Sequence, residues 1–209
     1  MRVQTSALAD SSALVSQFRD EVARAELRTV LRRRIISGSA YVYPSHDSYY
    51  EFCEAVSEAV GCHPASVLVV GSAKLGFSIA PSKRYRPFGD KSDIDAVVVD
   101  EKLFDRLWRE VHVAVEARLV WPKRNDFADY LMRGWIRPDF FPDVRGDTVG
   151  MWWDRFAELS RRAGVKVAGA VYRDWHFLES YQLKALSMCR EAGPLSSSPV
   201  SIQSSAVKR

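Results

Sequence analysis

An apolar run, Val67-Leu68-Val69-Val70, ends in Gly71-Ser72, and a second, Ala96-Val97-Val98-Val99, is headed by Ser92-Asp93-Ile94-Asp95. Both runs are β-branched and short, which predicts buried strands, and the stretch between them holds room for one short helix and a loop. Side chains on a strand alternate between its faces, so Asp93 and Asp95 are expected to point the same way. Two carboxylates on one face repel each other unless a cation lies between them, and a divalent metal is the usual resident. The Gly71-Ser72 turn can offer backbone N–H groups and a hydroxyl to a phosphate that the same metal would bridge. The pattern predicts metal-dependent chemistry on a nucleoside triphosphate.

The chain of 209 residues suits one domain, or one domain with an appended helical part. Its apolar and charged content is that of an ordinary globular protein. No apolar run approaches the roughly 20 residues that cross a bilayer. Met1 to Ser12 carries a single Arg2 and no apolar signal region, so a cytoplasmic location without membrane association is expected. Cys53, Cys62 and Cys189 are too few and too widely spaced for a disulfide framework or a zinc site. Cys53 falls on the apolar face of a helix, where packing explains it. His46, His63, His112 and His176 are scattered without ligand spacing and receive no catalytic role.

The net charge is +4, and arginine dominates the cations. The Arg32-Arg33-Arg34 cluster ends a helix, where cations complement the dipole. Lys83, Arg84 and Arg86 lie between the two signature pieces and are the better phosphate candidates.

Along the chain, residues 11–36 read as one long amphipathic helix with a stripe of Val15, Phe18, Val22 and Ala25, stopped by Gly38. Ser45 caps a second helix that Gly61 ends. A strand at 66–70 follows Pro64. Ala73 to Ile79 begins as a short helix cut by Pro81, and 81–92 reads as a mobile loop. After the strand 94–99 come helices at 103–119, 123–133 and 148–163, a strand at 165–172 and a last helix at 177–190. Trp152, Trp153 and Phe156 are read as core. From Gly193 onward the chain is Ser-rich and reads as disordered. Helices alternating with about three strong strands predict an α/β (α+β) fold, a small mixed β-sheet packed by helices on one face. The expected divisions are an N-terminal helical segment 1–62, a core 63–192 and a tail 193–209.

Gly71-Ser72 after a first strand and Asp93-Ile94-Asp95 on the next resemble the nucleotidyltransferase superfamily that includes DNA polymerase β and its minimal bacterial relatives. The likeness is specific over roughly residues 66–100. Further segments, Gly71-Ser72-Ala73-Lys74-Leu75-Gly76-Phe77-Ser78, Arg133-Gly134-Trp135-Ile136-Arg137-Pro138 and Val171-Tyr172-Arg173-Asp174-Trp175, look like those of uncharacterised bacterial relatives. The resemblance implies a sheet of that family's type with helical additions at both ends. It implies that Ser72 contacts the triphosphate and that Asp93 and Asp95 bind two magnesium (or manganese) ions. The implied reaction moves a nucleoside monophosphate from a triphosphate to an acceptor hydroxyl on protein, RNA, a small molecule or a nucleotide, and releases pyrophosphate. Relatives serve in toxin–antitoxin pairs and antiviral defence, so an operon partner or a second copy of the chain is the expected protein partner.

That family usually places a third carboxylate on a neighbouring strand, yet Val165 to Tyr172 holds no acid. Asp174 follows that strand and is the candidate for the role, with Asp139 and Asp143 behind it. Lys74 is a candidate for the triphosphate, and Trp135 and Arg137 are candidates for the cleft wall. Gly71-x4-Gly76-Phe77-Ser78 falls short of a phosphate-binding P-loop because Phe77 stands where its lysine belongs. A calcium loop starting at Asp93 fails because Val97, Val99 and Phe104 occupy ligand positions. The remaining alternatives are a degenerate fold that binds a nucleotide or a partner without transfer, and an RNA-binding module that uses the arginines.

Overall fold

The computed structural model describes residues 11–142 and 147–193, so Asp143 and the tail beyond 193 lie outside the described residues. Strands β1 (Val67–Val70), β2 (Ile94–Val99), β3 (Trp135–Ile136) and β4 (Val167–Tyr172) form one mixed sheet in the order β1-β2-β4-β3. β1 runs antiparallel to β2, which pairs in parallel with β4, and β3 closes the far edge antiparallel to β4. The helices are α1 (Ser11–Arg24), α2 (Leu27–Leu31), α3 (His46–Val60), α4 (Gly71–Leu75), α5 (Glu101–Glu116), α6 (Arg124–Met132), α7 (Asp147–Ala163) and α8 (Trp175–Glu191).

Alternation of the strand side chains sets up two apolar layers. Val67, Val69, Ile94, Ala96, Val98, Val167 and Val171 face α3, α5 and α7, with Phe52, Val56, Leu107 and Phe156. Leu68, Val70, Val97, Val99, Ala170 and Tyr172 face the other way, against Phe18, Val22, Leu31, Leu178 and Leu186 of α1, α2 and α8. Helices therefore cover both faces of the sheet rather than the one expected. Both layers draw on residues before and after position 62.

The helix expected over 11–36 is broken. Glu26 takes an extended conformation (φ −66°, ψ 127°), and its carboxylate accepts hydrogen bonds from the backbone N–H of Arg28 and Thr29. The chain thus restarts as α2 at a fresh N-cap, which lets Val30, Leu31 and Ile35 turn onto the sheet. α3 keeps its expected limits: Ser45 forms a capping box with Ser48, and Gly61 ends the helix in the left-handed conformation. On α7, Trp152 is buried and stacked on Phe156 at 4.5 Å, above Gly169 of β4, where a Cβ would stand 2.5 Å from the Phe156 ring. Trp153, read as core from the sequence, is 46% exposed, because neighbouring helical residues sit about 100° apart and cannot both face inward.

Candidate functional site

β1 ends and β2 begins side by side. In their antiparallel register Val70 is the partner of Asp95, so Gly71 bends away directly beside that carboxylate. Gly71 has φ +66°, and a Cβ placed on it would lie 2.9 Å from Asp95 Oδ2. A glycine here meets two needs at once: a left-handed backbone and close approach of the turn to the acid. α4 starts at this bend, so the N–H groups of its first turn have no partner inside the helix.

The bend opens onto a cavity of about 840 Å³. Asp93 and Asp95 both line it, as the period-two spacing requires, together with Gly71 and Ser72. They are the only acids on its wall among the described residues. Asp95 is open to the cleft's solvent, yet protein surrounds its carboxylate on most other sides. That surrounding, reinforced by the charge of Asp93, pushes its pKa up to about 6, while Arg137, Lys166 and Lys83 act in the opposite sense. Lys166 lies 3.3 Å from Asp93 Oδ2, an exposed pair worth little to stability.

Cations from three parts of the chain line the cavity. Lys83, Arg86 and Lys91 come from the segment between the signature pieces, Arg133 and Arg137 flank β3, and Lys184 projects from α8. The 81–92 segment, read as a mobile loop, doubles back as a hairpin-like arm. Ser78 N–H donates to Arg86 O at 2.9 Å, Tyr85 N–H donates to Ser78 O at 2.7 Å, and Phe77 bridges to Pro87. Aromatic walls complete the site: Trp135 stacks on Tyr172 at 5.3 Å, Tyr181 tilts against Trp135 at 5.1 Å, and His176 and Phe177 stand at the rim.

Three residues expected at the site are placed elsewhere. Lys74 is 6% exposed, and its Nζ donates to the carbonyls of Ser37, Gly38 and Ser39 at 2.7, 2.5 and 3.2 Å, which turns it into a tie between α4 and the chain before α3. Burial pushes its pKa down to about 8. Asp174 caps α8, accepting from the N–H of His176 and Phe177, and does not line the cavity. Arg84 turns toward Cys189, whose thiol it helps to hold down against the upward push of burial. Asp139 is also spent, paired with Arg137 at 2.8 Å. On the cleft face of β4, the positions beside Asp95 and Val97 are Ala168 and Ala170, so no third acid stands there.

Lys91, Lys166, Lys184, Tyr181 and Gln182 were not among the expected site residues. For Lys166 a signal existed: parallel pairing of the 94–99 and 165–172 strands puts Lys166 next to Asp93. The α8 residues carry no such signal, because only the packing of that helix brings them to the cavity. His176, given no role from its spacing, stands at the rim by the same route.

Among the described residues no three His, Cys, Asp or Glu side chains cluster to form a metal site on their own. Two carboxylates do suit one magnesium or manganese ion, because Mg²⁺ is commonly held by one or two carboxylates with phosphate oxygens and water filling the other positions. The upward push on Asp95 by Asp93 is the repulsion that such an ion would relieve. No helix among the described residues is long and apolar enough to cross a membrane. Comparison of the chain with protein-family models, curated proteins and solved structures finds no match in any of the three.

Proposed function

We propose that the cleft binds a metal-chelated nucleoside triphosphate and transfers its nucleoside monophosphate to an acceptor hydroxyl. The observation that carries this reading is the contact between the glycine bend and the acid strand: Gly71, Ser72, Asp93 and Asp95 converge on one basic cavity. A magnesium or manganese ion held by Asp93 and Asp95 would neutralise triphosphate charge and acidify the attacking hydroxyl. The N–H groups of the first turn of α4, which have no partner inside that helix, and the Ser72 hydroxyl would cradle phosphate oxygens. Lys83, Arg86 and Lys91 balance the charge that gathers on the leaving pyrophosphate. The acceptor oxygen attacks the α-phosphorus in line, the bond to the β-phosphate bridging oxygen breaks, and pyrophosphate departs. The acceptor hydroxyl, acidified by an ion held on Asp93 and Asp95, would give up its proton to water in the cleft.

The lack of an acid at Ala168 and Ala170 supports a second reading, in which the cleft holds the triphosphate without turnover. Incubation with labelled triphosphates and Mg²⁺ separates the two. Pyrophosphate release that disappears in Asp93→Ala/Asp95→Ala is expected; saturable binding with no release would establish the second reading, and release that survives the double substitution would refute the site.

A further inference from the structure

The glycine bend that would take the triphosphate closes β1 at one edge of the sheet, and β3 forms the other edge. Strands lie about 4.8 Å apart, so β3 stands about 14 Å from β1 and about 10 Å from the acid strand β2. Three phosphates joined by single oxygens, laid between the bend and the acid pair, do not extend to β3. Yet two guanidiniums that line the same cavity, Arg133 and Arg137, bracket that strand.

Their surroundings fix them. Arg137 donates to Asp139 Oδ2 at 2.8 Å and lies over the Phe140 ring at 5.0 Å. That bond occupies one of the five N–H donors of a guanidinium. Arg133 lies over the Tyr130 ring at 5.5 Å and has no carboxylate partner among the described residues. Tyr181 of α8 joins them. It is 40% exposed, tilts against Trp135 at 5.1 Å, and its hydroxyl makes no hydrogen bond among the described residues. Burial and the neighbouring Tyr130 push the pKa of this phenol up, Arg133 and Arg137 pull it down, and Asp95 adds to the upward push. Both guanidiniums and the acid strand therefore lie within electrostatic reach of one phenol oxygen.

Guanidinium forks match the paired oxygens of a phosphate, and a phenol O–H can add a further bond. A nucleobase is neutral and gives these charges no partner, and the phosphates of the donor are engaged at the bend. What remains is an anion on the acceptor. A phosphate held beside β3 can carry a hydroxyl, across one sugar, to the acid pair.

We propose that Arg133, Arg137 and Tyr181 form an acceptor subsite that grips a phosphate ester by its anionic oxygens, apart from the place of the triphosphate. The inference rests on the nucleotidyl-transfer reading above, and its test keeps the two separate. The wild type is loaded with Mg²⁺ and α,β-methylene-ATP, which cannot release pyrophosphate. Ribose 5-phosphate, ribose and a uridine tetranucleotide are then titrated by calorimetry. Both phosphate esters are expected to bind at least tenfold more tightly than ribose. Arg133→Gln/Arg137→Gln should weaken both at least tenfold; Arg133→Gln alone, at an exposed position, and Tyr181→Phe, which keeps the ring, should weaken them severalfold. Affinity for the ATP analogue should stay within twofold throughout. Tighter binding of the tetranucleotide supports the subsite with a nucleic-acid backbone as the phosphate source, and tighter binding of ribose 5-phosphate supports it with a small ester. Esters that bind no better than ribose, or that bind the variants as well as the wild type, overturn the subsite and leave the triphosphate reading standing. Loss of the ATP analogue together with the esters in the variants also overturns it, because the corner then serves the donor. No binding of the analogue to the wild type overturns the triphosphate reading, and the subsite with it.

Discussion

Gly71→Ala offers a direct measure of how closely the turn approaches the acid strand. Two separate penalties are expected. An alanine at φ +66° enters the left-handed region at about 1–2 kcal/mol, partly offset by about 0.4–1 kcal/mol from a less free unfolded chain. Its Cβ would also stand 2.9 Å from Asp95 Oδ2, nearer than an ordinary carbon–oxygen contact, so the carboxylate must leave its rotamer at about 0.5–1.5 kcal/mol. Gly61→Ala isolates the first penalty. Gly61 has φ +73°, and a Cβ there meets nothing within 4 Å.

The expected result is a loss of about 1 kcal/mol for Gly61→Ala and about 2 kcal/mol for Gly71→Ala in urea unfolding at pH 7. Asp95→Ala removes the colliding atom, so Gly71→Ala in that background should cost only as much as Gly61→Ala. The double-mutant cycle then yields a coupling of about 1 kcal/mol between positions 71 and 95. Equal costs at 61 and 71, or a coupling near zero, would refute the juxtaposition on which the site is built. Triphosphate affinity should fall in Gly71→Ala and stay intact in Gly61→Ala, which ties the same contact to binding.

Asp95 also predicts a pH dependence. Its folded-state pKa, about 6, lies above the usual carboxylate value, so the folded chain holds its proton more tightly than the unfolded chain. The stability this contributes is full below the unfolded value and is lost as pH rises through about 6. Asp95→Asn does not titrate there, so its melting temperature should gain on the wild type between pH 4 and pH 7; a gap flat with pH contradicts the crowding of this carboxylate by protein and by Asp93. Mg²⁺ at pH 7 should raise the wild-type melting temperature and leave that of Asp95→Asn unmoved. Lys74→Met should lose about 2–3 kcal/mol, since three carbonyls lose their donor, while Mg-triphosphate affinity holds within twofold. A folded Lys74→Met protein that no longer binds would place Lys74 in the cleft after all.

What the sequence makes legible is what local chemistry decides. β2 matches its expected limits residue by residue, because a β-branched run buried on both faces admits few other structures. The common direction of Asp93 and Asp95 follows from strand periodicity alone. Ser45 and Gly61 announce the ends of α3 because each satisfies backbone groups left open at a helix terminus. Tertiary partners decide the rest. Lys74 has the charge of a phosphate ligand, but the carbonyls of Ser37, Gly38 and Ser39 are brought to it by the fold and claim all of its donors. Asp174 stands one residue before a helix, and its carboxylate goes to the open N–H groups of that helix. β3 is two residues long, too short to show any period, and exists because β4 offers it an edge.

Charge around the acid pair bears on how many cations the site can hold. Two metals about 3.5–4 Å apart, as the family resemblance implies, need bridging carboxylates and further ligands on each side. Here the face of β4 beside Asp95 carries Ala168 and Ala170, Asp174 is committed to α8 and Asp139 to Arg137. Lys166 stands against Asp93, and Arg137 lies near enough to draw down the pKa of Asp95. Those fixed cations already offset part of the carboxylate charge, which weakens the attraction for a second divalent ion. The side chains around the acid pair therefore suit one divalent ion better than two.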